Sequence, residues 1–309
     1  MSQTHRKILI QIFLFVLAVI PPVSHAVADT PKSVRNYIFG NSLIHHLTSS
    51  DETTVPYWLH HLATAAGNRY AVDGQWGFPE DFIKNLPPTD QWKFKGVPDV
   101  WDRYRAPFSG ADYNVIMMNP ANFIQYRAPD ASPGFLGLGG GSQVDVAVTL
   151  FDWLEKNGSK SPTRYFIYEG WAAMGSFSKT FPPNADGMRD YHALNQGSYH
   201  DWYVTFVRLV NEKRPGLDVR LIPVASLLSK LLSEVPLKDL QPEDLYSDLS
   251  PHGTETKYFL AALIVYTMLY EEKPTAHFTP SAAVNSLVRD RYQEIASVVC
   301  ASVLGAGKC

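Results

Sequence analysis

A three-layer α/β fold around a parallel sheet is what this chain predicts, on three observations. Short apolar runs alternate with longer segments of helical periodicity, the pattern that sets helices on both faces of a sheet. The run Tyr113–Met118 is apolar apart from Asn114 and shows no alternation, as expected of a strand buried on both faces. About 280 residues follow an N-terminal leader, and a hydrophobic content of 45% suffices for one large core.

The elements follow in order. Arg6 and Lys7 precede an apolar, uncharged run, Ile8–Ile20, broken by Pro21-Pro22 and followed by Ala26-Val27-Ala28. That is a secretory signal with a small-x-small cleavage site, too short for a comfortable membrane span. An uncleaved anchor is the rival reading. Residues 1–28 are therefore expected to be the signal peptide and 29–309 a single domain, periplasmic or secreted. Val34–Phe39 reads as the first strand, ending at Gly40. Pro56–Ala66 carries Trp58, Leu59, Leu62 and Ala66 at helical spacing. Tyr70-Ala71-Val72 is a second strand, running into Asp73-Gly74-Gln75-Trp76-Gly77. Residues 79–112 are rich in Pro, Trp and charge, with weak periodicity, and Tyr113–Met118 is the third strand.

Arg127–Gly141 clusters Pro and Gly and reads as a mobile loop or lid. Val144–Glu155 is a helix and Tyr165–Tyr168 the fourth strand, followed by Glu169-Gly170-Trp171. A loop then runs through Pro182-Pro183. Tyr199–Lys213 is helical, Val219–Pro223 is the fifth strand, and Leu227–Leu232 opens the next helix. Helices over Thr254–Tyr270 and residues 281–304 complete the chain. Five strands of this kind fit a doubly wound, flavodoxin-like sheet, whose ligands bind at the carboxyl ends of the strands. Ser42, Gly74, Asn122 and Glu169 all follow predicted strands, so a site is expected at that edge.

Charge excludes some partners. The chain carries −3, and Arg6 and Lys7 are the only charged residues of 1–28, so the remainder carries −5. Nothing favours nucleic acid or an anionic membrane as a partner. Cys300 and Cys309 could close a small loop that pins the tail in an oxidising compartment, or stay idle thiols. His45-His46, His60-His61, His192 and His200 fall in no metal-binding pattern, and no metal is expected. Gly137, Gly139, Gly140 and Gly141 complete neither a dinucleotide nor a Walker pattern, so no cofactor is expected.

The chemistry lies in distant segments. Gly40-Asn41-Ser42-Leu43 follows the first strand, and Asp248-Leu249-Ser250-Pro251-His252 precedes the last strong helix. A serine hydroxyl needs a base to take its proton, and the base needs an acid to orient it. Ser42, His252 and Asp248 supply those parts. Plainer roles stay open: Ser42 could cap a helix, Asp248 could cap the segment near Pro251, His252 could cap or solvate the last helix, and Asn122 could be a turn residue.

This arrangement resembles the SGNH/GDSL hydrolase superfamily over the whole chain. In that family a Ser follows the first strand, a Gly the second and an Asn the third, and an Asp/His pair precedes the last helix. The resemblance implies Ser42, Asp248 and His252 as catalytic residues. It implies an oxyanion hole from Ser42, Gly74 and Asn122, with Asn119 competing for Asn122 and Gly77 for Gly74. Three departures stand out. Asn41 replaces the usual Asp before the serine, the third block reads Asn119-Pro120-Ala121-Asn122, and three residues rather than two separate Asp248 from His252.

Aromatic residues are plentiful near strand ends and long loops: Trp76, Phe78, Trp92, Trp101, Phe123, Tyr126 and Trp171. Flat aromatic faces suit sugar rings, although more than half of these are expected to be core or loop anchors. Asn41, Glu169 and Trp171 are the expected substrate-binding positions, with His45 or His46 lining the cleft. The expected activity is an exported serine esterase that removes a short acyl group, such as acetate, from a small-molecule or glycan ester. A polysaccharide acyltransferase, a lipase-like esterase and a non-catalytic binding protein of the same fold are the alternatives. The sequence is silent on oligomeric state.

Overall fold

A computed structural model describes residues 30–132, 141–158, 162–234 and 236–309. The signal segment lies outside the described residues, and so does most of the Gly-rich loop.

Five parallel strands form one sheet in the order β2-β1-β3-β4-β5. They are β1 (Ser33–Gly40), β2 (Arg69–Trp76), β3 (Val115–Met118), β4 (Arg164–Tyr168) and β5 (Arg220–Ile222). This is the doubly wound order, with its switch point between β1 and β3. The central strands are apolar because helices cover both faces; every residue of β3 is buried.

Among the described residues ten α-helices follow from capping and periodicity: α1 (Val55–Ala65), α2 (Pro79–Lys84), α3 (Gln143–Asn157), α4 (Ala185–Gln196), α5 (Ser198–Lys213), α6 (Val224–Ser233), α7 (Pro242–Leu245), α8 (Glu255–Tyr270), α9 (Ser286–Asp290) and α10 (Tyr292–Leu304). Thr54 caps α1 by accepting from the Tyr57 N–H at 3.2 Å. Ser142 and Asp145 form a reciprocal capping box on α3. Of the 16 residues of α8, 14 are buried, so this helix is apolar all round and lies inside the molecule. It packs against α1, α6 and α10.

Several elements differ from the sequence expectation. β2 runs on to Trp76, which places Asp73 and Gly74 inside the strand rather than after it. The weakly periodic stretch 79–112 is anchored instead of loose. Asp73 is fully buried and accepts from the N–H groups of Val100 (2.9 Å) and Trp101 (2.8 Å), the Tyr113 hydroxyl (2.7 Å) and Lys93 (2.9 Å). Helix α4 is hard to see in the sequence because it buries few residues along a largely polar segment. Its start is set by Asn184, which accepts from the Gly187 N–H at 2.8 Å. The single helix expected over 281–304 is two, and Asn285 caps the first by accepting from the Leu287 N–H.

Pro31–Cys309 form one compact unit. A disulfide joins Cys300 to Cys309 and ties the tail to α10. No helix among the described residues is long and apolar enough to cross a membrane.

Candidate active site

Past β1 the chain makes a tight turn. The Asn41 carbonyl accepts from the N–H groups of Ile44 (3.0 Å) and His45 (3.1 Å), and the Asn41 side chain accepts from the Leu43 N–H (3.0 Å). The turn leaves Ser42 partly exposed at the switch point of the sheet. Tyr258, in the first turn of α8, donates to the Ser42 carbonyl at 2.5 Å and so fastens the turn to the central helix. Helix α1 is capped by Thr54.

His252 arrives from the other end of the chain. Residues 246–253 double back on themselves: Tyr246 and Gly253 pair antiparallel, and the Ser247 N–H donates to the His252 carbonyl at 2.9 Å. Inside this turn Asp248 Oδ1 accepts from the N–H groups of Ser250 (2.8 Å) and His252 (3.0 Å). The extra residue between Asp248 and His252 is absorbed there. Asp248 Oδ2 lies 2.6 Å from His252 Nδ1, and His252 Nε2 lies 3.1 Å from Ser42 Oγ. A carboxylate on Nδ1 fixes the tautomer that leaves Nε2 free to accept from the serine. Burial would raise the Asp248 carboxyl, but the hydrogen bonds from the His252 ring and the two backbone N–H groups outweigh it and hold it below the usual range.

His46 is stacked on His252, with ring centroids 4.1 Å apart and planes 14° from parallel. Burial, and then the neighbouring His252, lower its affinity for a proton. His45 sits deeper, against Trp92 and Phe94, and burial brings its pKa down to about 4. A cavity of about 640 Å³ opens beside Ser42, walled by His46, Trp76, Gln91 and Trp92.

The remaining candidates divide between this centre and the interior. Asn41 and Asn119 meet at the switch point, where Asn119 Nδ2 donates to Asn41 Oδ1 at 2.9 Å. Asn41 Nδ2 and Asn119 Oδ1 are buried, with no hydrogen-bond partner among the described residues. Asn122 Nδ2 donates to the Trp171 carbonyl at 3.1 Å. Gly74 is level with Ile38, upstream of Ser42, and is not brought to it. A Cβ on Gly74 would come 2.5 Å from the Ile38 carbonyl oxygen and 2.9 Å from the Trp92 ring, and one on Gly40 would meet the same ring at 2.9 Å. Gly40 thus makes room for the indole that lines the cavity, and Gly74 lets β2 lie close to the Ile38 carbonyl with that indole beside it. The Gly77 N–H donates to the Gly40 carbonyl at 2.9 Å.

Glu169 and Trp171, expected to bind substrate, are buried. Glu169 Oε1 lies 2.9 Å from His200 Nδ1, and Ser226 donates to Oε2 at 3.0 Å. Trp171 Nε1 donates to the Pro251 carbonyl at 2.8 Å, and the Met174 N–H donates to Leu249 at 3.1 Å. Trp171 therefore braces the Asp248–His252 turn from beneath. Lys257 lies 4.6 Å from the Trp171 ring centre and donates to the Tyr246 hydroxyl; burial pushes its pKa well down.

Sequence reasoning missed Tyr258 and the bracing role of Trp171. Tyr258 has no local signature, since its partner lies 216 residues away.

No family model matches the chain, and no curated protein does. Solved structures are similar to it to different degrees. A DUF4886 family protein from Bacteroides uniformis superposes with a TM-score of 0.55 at 14% identity, covering 89% of this chain and 96% of that one. A protein provisionally assigned as an SGNH hydrolase, from Slackia heliotrinireducens, gives 0.43 at 15%, covering 77% and 100%. A family 3 carbohydrate esterase from Clostridium thermocellum gives 0.41 at 16%, covering 77% and 97%. At 14% identity the first of these likenesses is one of fold alone.

Proposed function

We propose that the protein is a serine esterase working through an acyl-enzyme. The observation that carries this reading is the unbroken relay from Asp248 through His252 to the Ser42 hydroxyl. Ser42 Oγ attacks the ester carbonyl while His252 Nε2 takes its proton, and a bond forms between Oγ and the carbonyl carbon. The ester C–O bond then breaks and the alcohol leaves with that proton. Water attacks the acyl-enzyme, giving its proton to His252. The Oγ–C bond breaks, the acid departs, and the proton returns to Ser42.

For the oxyanion, the proposed donors are the Ser42 N–H and an asparagine amide, Asn122 or Asn119. Each amide gives one hydrogen to a protein acceptor and keeps a second. A well-placed donor of this kind is worth about 3 kcal/mol in the transition state. Gly74, the third expected donor, enters this proposal as a residue packed against the Ile38 carbonyl and Trp92. Asn41 would orient Asn119, and Trp171 would support the histidine turn. The cavity's aromatic and amide walls favour a short acyl group on a saccharide, and the leader favours an exported protein that loses residues 1–28.

The test is hydrolysis of p-nitrophenyl acetate by the mature protein. Ser42→Ala should lower the rate by about a thousandfold or more, with an unchanged circular dichroism spectrum. A variant as active as the parent would remove Ser42 from the mechanism.

A further inference from the structure

We infer that the ester is presented on a neutral glycan chain, which lies in a groove leading from Ser42 past Trp76 and Gln91 to Tyr104. This rests on the esterase reading and adds the class of substrate. Three cavities follow one another along that line. The one at Ser42 shares Trp76 and Gln91 with a second, of about 490 Å³. The second shares Thr89, Arg103 and Tyr104 with a third, of about 1090 Å³. A pocket for one small ligand runs to about 300–1,000 Å³, so the track exceeds what an acyl group and a single sugar require.

Its walls alternate flat aromatic surface with fixed polar groups. Trp76 is 49% exposed and Tyr104 83% exposed, although both are large and hydrophobic. Gln91 is oriented by its neighbour: the Trp76 N–H donates to Oε1 at 2.9 Å, so Nε2 is left to face outward as a donor. Arg103 donates to the Tyr104 hydroxyl at 3.0 Å and lies 4.9 Å from its ring centre, covering one face and steadying the other. Sugar rings need this pairing of an apolar platform with a hydroxyl partner. A fatty acyl chain needs a continuous apolar wall instead. The cations nearest Ser42 and Tyr104 are already committed, and Lys156, at the far edge of the third cavity beside Glu155, is the exception. Lys93 is held by Asp73 and Asp99, both at 2.9 Å, and Arg103 faces Asp90 at 3.8 Å. That favours a neutral glycan over a phosphorylated or uronic one.

The experiment measures kcat/KM on acetylated β-1,4-linked glucose, xylose and N-acetylglucosamine, each as the monomer and as a series of longer oligomers. The expected result is a rise with chain length in at least one series, and a loss of about tenfold of that gain in Tyr104→Ala. Gln91→Ala should lose part of the same gain. Both positions are exposed, and a thermal melt checks that each variant folds. If the wild type cleaves p-nitrophenyl acetate but no series gains with length, or Tyr104→Ala keeps the full gain, the groove assignment is overturned and the esterase reading stands. Activity on p-nitrophenyl esters that climbs steadily with acyl length would put the acyl chain in the groove and overturn it too. If p-nitrophenyl acetate is untouched and a fluorophosphonate does not label Ser42, both readings fall.

Discussion

Ser42 and His252 are 210 residues apart in the chain and 3.1 Å apart in space. Each is held by backbone contacts of its own, Ser42 by Tyr258 and His252 by the Asp248 turn, so their meeting does not depend on their own hydrogen bond. His46 adds a wall. Its stack leaves the His252 ring little room to tilt away from the serine, and its backbone is fixed by bonds to Thr53. A flat residue at 46 should therefore suffice. His46→Phe is expected to keep kcat on p-nitrophenyl acetate within about twofold, whereas His46→Ala, which frees the ring, should lower it by about tenfold. Equal kcat in the two variants would count against the stack as a positioning contact.

At the scale of elements, two buried carboxylates decide how loops meet the sheet. Asp73 turns β2 into the anchor of the 90–113 segment, collecting two backbone N–H groups, a phenol and an ammonium. Asp73→Ala orphans the two N–H groups and the phenol, while Lys93 keeps Asp99, and should cost about 3 kcal/mol in urea unfolding, with faster proteolysis within residues 90–113. Intact resistance in the variant would contradict this role. Glu169 joins the end of β4 to α5 through His200 and to α6 through Ser226. Burial raises the Glu169 carboxyl despite His200, while the hydrogen bond to Glu169 raises His200 from 6.5. The sign follows directly. A histidine whose folded pKa is raised contributes stability that is complete below its unfolded pKa, about 6.5, and lost as pH climbs through the raised value. The raised Glu169 acts in the same direction, since the folded state holds its proton more tightly. The urea midpoint should thus fall as pH rises above about 6, and Glu169→Gln should flatten that slope. A parent midpoint unchanged between mildly acidic and mildly alkaline buffer would refute it.

The whole molecule is organised around α8. This helix carries Tyr258 to the nucleophile turn, lies directly behind the His252 turn, and packs against α1, α6 and α10. Its burial couples the site to the core. Leu263 is fully buried, and Leu263→Ala leaves a cavity that should cost about 3 kcal/mol. Circular dichroism and tryptophan fluorescence should then shift together, as they do for one cooperative unit. Separate transitions would show that α8 does not unite the domain.

Periodicity and composition alone carried the α/β class, the five strands and most helices, because burial on one face or on both leaves its mark residue by residue along the chain. The Ser42, Asp248 and His252 segments were visible in the same way, as polar residues stranded beside strand and helix ends. What the sequence could not decide is which polar residues face one another. Glu169 and Trp171 looked like substrate-binding residues and lie inside; Gly74 looked like an anion contact and lies against the Ile38 carbonyl and Trp92. Tyr258 and His46 showed their partners only after folding. Local pattern reports how each residue meets solvent. Side-chain pairing depends on where crossovers return the chain, and that is set by packing between elements far apart in sequence.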